Sequence, residues 1–414
     1  MRDRGSAGTR TVCLRKPGTH QSHLREHLVQ RRRFLQNLGV IGSAPLLGAC
    51  ARTFGIPLTA MAAPGTGPGA ERDTEGVWRE GAAYARWAPS PHNIQPWRLR
   101  VLSATSCELC YDPARLLPQT DPTSAFTMMG LAMFVEYLSI AVGTRGFAVH
   151  ADYVNAPLDY SATLPKRFAM LTLVPARNTE TFERRLMLER QTSRLPYDGT
   201  VVDDASLNAL TQLSAEHRHT FTWSSEEELV HWMLDLNRFT LFRDLDDDAG
   251  RTELRRWIRT TDDEASAKKD GLWSHCLRFP GWLLKAFFDE HEKWGHGWRA
   301  HMCGKMLVRG MSGTRTVAWW SGPFSGPEDW INAGTLLGRS WLELTRRGVQ
   351  MHPFGSVITN PDAHARLVSR VGAAANDEQL WLVVRLGRSD VPPRSYRVDE
   401  HAIFLEDNAR LEGR

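Results

Sequence analysis

Residues 88–97 read APSPHNIQPW. Prolines at 89, 91 and 96 fix φ and remove backbone donors. The side-chain amides of Asn93 and Gln95 each offer a donor and an acceptor. That pattern suits the imide edge of a heterocycle, where carbonyl and N–H groups alternate. The same residues also suit a rigid polar turn between a helix, EGVWREGAAYARWA (75–88), and a strand, WRLRVLS (97–103). Residue chemistry alone leaves both readings open.

A second stretch, RQTSR (190–194), raises a matching question. In an extended segment Arg190, Thr192 and Arg194 face one side. Two guanidiniums flanking a hydroxyl make a phosphate socket. A solvated basic turn is the plain alternative.

The 414 residues are 42% hydrophobic and 24% charged, the profile of a large globular chain or two fused modules. The formal charge of +4 is uneven. Residues 1–33 hold nine Arg or Lys against Asp3 and Glu26, so the body carries a slight negative excess. Nucleic acid is therefore not an expected partner. Phosphate-binding glycine loops and G-x-S-x-G elbows are missing. Cys107 and Cys110 sit in a strand, SCELCYD, as core residues, with Cys276 and Cys303 unpaired. HEKWGH (291–296) places two histidines five apart. On a helix they point roughly 140° from each other, so no metal site is expected.

Along the chain, residues 51–72 read as a Pro/Gly-rich tether and 406–414 as a tail. The apolar run FTMMGLAMFVEYLSIAVGTRG (126–146) carries Glu136 and ends at glycine, so it reads as a buried central helix rather than a membrane span. TFERRLMLERQ (181–191), DDASLNALTQLS with its Asp203 or Asp204 cap, and PEDWINAGTLLGRSWLELTRRG read as helices. AMLTLVPA, TRTVAWWSG and EQLWLVVRLG read as strands. Residues 262–312 form an aromatic insertion, read as packing, as a lid or as a surface touching the membrane. The class is α+β.

The two opening motifs together resemble those of the nitroreductase-like FMN-binding superfamily, A-P-S-x-x-N-x-Q-P-W and R-x-S-x-R. GVQMHPFGS (348–356) keeps that family's G-x-x-x-x-P spacing, and PPRSYR (392–397) matches a basic stretch near its FMN phosphate. The resemblance implies bound FMN, held by Ser90, His92, Asn93 and Gln95 from one half. Arg190, Thr192 and Arg194, the backbone amides of Gly355 and Ser356, and Arg394 and Arg397 would serve from the other. The family normally places the arginine motif before the loop, in separate subunits of a dimer. Here it follows by about 100 residues. The order implies a fused pseudo-dimer, with halves at 73–180 and 181–405, and is most similar to the Acg-like branch. The expected activity is electron or hydride transfer through flavin to a small-molecule acceptor, with no catalytic side chain required. The donor is NAD(P)H or a quinol. Non-catalytic FMN sequestration is the alternative.

Finally, QRRRFLQNLGVIGSAPLLGAC (30–50) resembles a twin-arginine export signal ending in a lipobox. It implies passage through an export translocase to the periplasm or cell envelope, with lipid attached at Cys50. An alternative cleavage site at Ala60-Met61-Ala62 would release a soluble protein.

Overall fold

A computed structural model describes residues 74–177, 180–372 and 378–405. The twin-arginine stretch, Cys50, the tether and the tail lie outside these residues. The first described helix is α1 (Thr74–Ala85), followed by strands β1 (Trp97–Ser103) and β2 (Ser106–Tyr111), helix α2 (Ala125–Gly143), and strands β3 (Phe147–Tyr153) and β4 (Lys166–Pro175). The later chain gives α3 (Asp204–Glu216), β5 (Thr220–Ser224), β6 (Thr316–Gly322), α4 (Pro327–Arg346), β7 (Gln350–Pro353) and β8 (Gln379–Gly387). These eight strands form two antiparallel sheets, ordered β1-β2-β4-β3 and β5-β6-β8-β7. Helix, strand, strand, long helix, strand, strand therefore occurs twice, with the same strand order each time. The α+β class and the duplicated plan follow from this topology.

The long helices join the halves. Sixteen of the 19 residues of α2 are buried, so its apolar length serves the core. Its one charge, Glu136, pairs with Arg339 of α4. Burial raises the Glu136 carboxyl above its usual range, against the pull of Arg339. Gly334 sets the distance between the two helices. A Cβ there would lie 2.6 Å from the Met129 carbonyl oxygen and 2.7 Å from its Cα. One apolar core runs through both halves, with Trp97 stacked on Phe134 at 5.1 Å.

The halves differ most in one connection. Residues 104–105 turn β1 into β2, whereas residues 225–315 separate β5 from β6. That insertion is mostly helical, with a two-strand parallel pair, Ile258–Arg259 and Leu272–Trp273. The segment that follows each four-stranded sheet crosses to the other sheet. Thr192 bridges Met351 of β7, and Phe404 bridges Leu99 of β1. This crossing carries the later motifs toward the first. The basic helix expected over 181–191 is shorter than its periodicity suggested. Only Arg185–Glu189 is helical, because Arg190 turns out of the helix toward β7.

Candidate functional site

The loop after α1 is held in a conformation that few side chains adopt. His92, Asn93 and Gln95 have φ of 47°, 56° and 50°. Left-handed backbone at non-glycine residues costs on the order of 1–3 kcal/mol each. Hydrogen bonds offset this. Ser90 Oγ accepts from the Gln95 N–H at 3.0 Å, and the Ser90 carbonyl accepts from the Asn93 N–H at 3.0 Å.

The side chains then latch the loop to two distant segments. Gln95 Nε2 donates to the Lys269 carbonyl at 3.0 Å, and its Oε1 accepts from the Val398 N–H at 2.9 Å. Asn93 Nδ2 donates to the carbonyls of Gly271 (3.1 Å) and Tyr396 (3.2 Å). Residues 269–271 belong to the insertion and 396–398 to the trailing segment. Both ends of the Gln95 amide bond backbone groups, so Gln95 anchors the loop. Asn93 keeps only its Oδ1, which is buried without a partner, as is His92 Nδ1.

Behind this loop lies a group of cations. Arg190, Arg394 and Arg397 are 5%, 6% and 8% exposed, and none pairs with a carboxylate among the described residues. Their guanidiniums pack on aromatic faces instead. Arg394 lies 4.1 Å and Arg397 5.3 Å from the Trp87 ring centre, and Arg190 lies 4.7 Å from that of Trp341. Arg86 approaches Trp87 as well, at 5.5 Å. Arg190 and Arg397 donate to the Trp87 carbonyl at 3.3 and 3.5 Å. Burial lowers the Arg394 guanidinium to about 10, with Arg190 adding to the effect. Burial also lowers Arg190, and burial together with Arg190, Arg394 and Arg86 holds Arg397 well below its usual value.

Buried like charges without a counter-ion are expensive. The same group leaves donors idle. Arg190 Nε and Nη1, Arg394 Nε and Nη2, Arg86 Nε and Trp87 Nε1 are buried without a hydrogen-bond partner. Idle donors and uncompensated charge at one place fit an anion with several acceptor oxygens, such as a phosphate monoester.

Arg194 stands apart from that group. Its Nη1 donates to the Cys276 carbonyl at 3.4 Å, and its charge faces His92. Burial first, and Arg194 second, hold the His92 imidazole down to about 4, so it is neutral at physiological pH. Thr192 makes the bridge to Met351. Arg385 of β8, fully buried, fixes this segment from below. It donates to the carbonyls on either side of Arg194, Ser193 at 3.2 Å and Leu195 at 2.9 Å, and to His352 Nδ1 at 3.1 Å. Gly355 and Ser356 open the turn Gly355–Thr359 just after β7. A Cβ on Gly355 would meet nothing within 4 Å, while the Ser356 side chain hydrogen-bonds Asp244.

Arg86, Trp87, His352 and Arg385 were not among the sequence candidates. Arg385 had a readable signal, a lone charge inside the apolar strand EQLWLVVRLG. Arg86 and Trp87 had none, since their role depends on the returning segment. A cavity of about 760 Å³ opens near the Lys269–Gly271 latch, lined by Arg115, Arg256, Trp257, Lys268 and Asp270 among others. It is distinct from the buried arginine group.

No family model matches the chain. A probable NAD(P)H nitroreductase, PigM of Serratia sp. (strain ATCC 39006), is 26% identical over 298 residues, covering 69% of this chain and 82% of the relative. Two solved structures are similar to about half of the chain. A nitroreductase with bound FMN from Bacteroides fragilis NCTC 9343 shows 13% identity, covering 52% of this chain and 93% of its own, at a TM-score of 0.31. The FMN-dependent nitroreductase NfnB from Mycobacterium smegmatis, in complex with NADPH, shows 16% identity, covering 50% and 86%, at a TM-score of 0.26.

Proposed function

We propose that this chain is an FMN-dependent oxidoreductase of the nitroreductase-like kind, most similar to the Acg-like branch, with one site built from its two halves. The observation that carries the reading is the buried arginine group. Arg190, Arg394 and Arg397 are buried without carboxylates, and Arg190 and Arg394 retain idle donors, on the motifs that resemble the family's FMN-phosphate contacts. The relative's name, a probable NAD(P)H nitroreductase, supports the same class.

In this reading Arg190, Arg394 and Arg397, with Arg86 and the Trp87 indole N–H, hold the phosphate. Asn93 Oδ1, the one unpaired atom of its amide, accepts from the ring's N–H edge. Neutral His92 packs beside it without adding charge. The backbone N–H groups of Gly355 and Ser356, at the first turn of their helix, are the donors proposed beside the reactive nitrogen. Bound flavin supplies the two-electron chemistry, and the chain supplies position, charge and exclusion of water. Arg385 keeps Arg194 in place through the flanking carbonyls.

The donor is NAD(P)H, or a quinol if the twin-arginine leader exports the protein to the cell envelope, with a lipid at Cys50. The acceptor is a small molecule. A sequestering role is the second reading. It is favoured by the latches from Asn93 and Gln95 to the insertion and the trailing segment, which close over the loop. The test begins with an absorbance spectrum of the purified protein, where flavin bands are expected. Anaerobic mixing with NADPH or a reduced quinone then separates the readings: rapid bleaching supports catalysis, and a spectrum unchanged by both donors supports sequestration. A protein that takes up no FMN overturns both.

A further inference from the structure

We infer that Asp246, His291 and His296 form a divalent transition-metal site, of the kind that takes Zn²⁺, on the insertion between β5 and β6. The helical spacing that argued against a metal here does not apply. The helix His291–Trp294 ends at Gly295, and Gly297, with φ of 64°, reverses the chain. Both imidazoles therefore turn to one carboxylate. Asp246 Oδ1 lies 3.0 Å from His291 Nε2 and 3.9 Å from His296 Nε2. The three donor atoms all lie within 4.8 Å of one another.

Bonds of about 2.0–2.1 Å around a tetrahedral ion place donor atoms roughly 3.3 Å apart. The observed separations bracket that value. Asp246 and His296 are exposed, so a small movement of two surface side chains closes the set. Two imidazoles and one carboxylate, with water completing the shell, suit zinc better than calcium or magnesium.

Local sequence supports the arrangement. Asp246, Asp247 and Asp248 are consecutive, but Asp247 caps the following helix through the Gly250 N–H, and Asp248 pairs with Arg251. Asp246 alone faces the histidines. Gly295 has an ordinary helical φ of −72°, so its backbone does not require glycine. The ring of His291 does require it, because a Cβ at Gly295 would lie 2.2 Å from His291 Cε1. That ring is buried and packs against Phe287, which holds it ready. Bound metal would tie the turn after the helix Glu227–Asp244 to the helix Gly297–Gly310, closing the outer part of the insertion.

The test uses the full chain, stripped of metal by a chelator and titrated with Zn²⁺ against a competing chromophoric chelator. Co²⁺ in place of Zn²⁺ reports geometry through its visible bands. One equivalent of tight binding, tetrahedral Co²⁺ bands, and a loss of at least ~10-fold in affinity in both His296→Ala and Asp246→Asn are expected. Both substitutions lie at exposed positions, and far-UV circular dichroism with the urea unfolding midpoint serves as the folding control. No tight equivalent in the wild-type chain, or equal affinity in the variants, overturns the assignment. The outcome is independent of whether the arginine group binds FMN.

Discussion

Arg394→Leu should move two properties in opposite directions. In the flavin-free protein the Arg394 guanidinium is buried, faces Arg190, and is held down from its ordinary value to about 10. That corresponds to a cost of roughly 3 kcal/mol at neutral pH. Its stacking on Trp87, at 4.1 Å, returns about 1–2 kcal/mol. Leucine removes both, so the flavin-free variant should be about 1–2 kcal/mol more stable than wild type. With FMN the sign reverses. Two unpartnered nitrogens, Nε and Nη2, await acceptors, and hydrogen bonds from charged donors contribute about 1.5–3 kcal/mol each. Losing both should weaken FMN binding by ~100-fold or more. Urea unfolding of the flavin-free proteins measures the first effect, and flavin fluorescence quenching measures the second. Equal FMN affinity in the two proteins, or a loss of stability in the variant without flavin, would refute the reasoning.

Other perturbations probe other parts of the structure. Gln95→Ala leaves the Lys269 carbonyl and the Val398 N–H without partners, and should destabilise the protein by about 2–3 kcal/mol in urea while changing FMN affinity far less. Gly334→Leu puts a side chain onto the Met129 backbone and should lower the melting temperature, at a cost of about 3 kcal/mol or more, without touching any ligand contact. His92 is held at about 4 against an ordinary 6.5, so the unfolded chain takes up its proton first as pH falls. Its contribution to stability is complete above 6.5 and declines as pH drops toward 4. His92→Gln should flatten that decline in pH-dependent unfolding, and an unchanged slope would place the imidazole in solvent. FMN at about 100 times its Kd should raise unfolding free energy by roughly 2.7 kcal/mol, seen as a shift in the urea midpoint.

Much of this was legible from sequence because the signals were local. Proline and amide density marked residues 88–97, alternation marked Arg190 and Arg194, and Glu136 within an apolar run marked a core helix rather than a membrane span. The duplicated topology was legible only through the order of the two family-like motifs, since two copies of one strand order share no visible repeat in sequence. The anchoring contacts of Gln95 were hidden for a similar reason. An amide rich in donors and acceptors satisfies a backbone as readily as a ligand, and residues 269 and 398 supply that backbone from far along the chain. The relative placement of the histidines of HEKWGH was not legible because helical periodicity does not extend past Gly295, where the helix stops. Arg86 and Trp87 became part of the site only through contacts with Arg394 and Arg397, some 310 residues away.

The central claim is that a buried, uncompensated arginine group recognises the phosphate of FMN. Comparing FMN with riboflavin, which carries the same ring without the phosphate, tests it most directly. The account predicts that FMN binds at least ~100-fold more tightly, and that the preference shrinks in Arg190→Ala and Arg394→Leu. Equal affinity for the two flavins would contradict it.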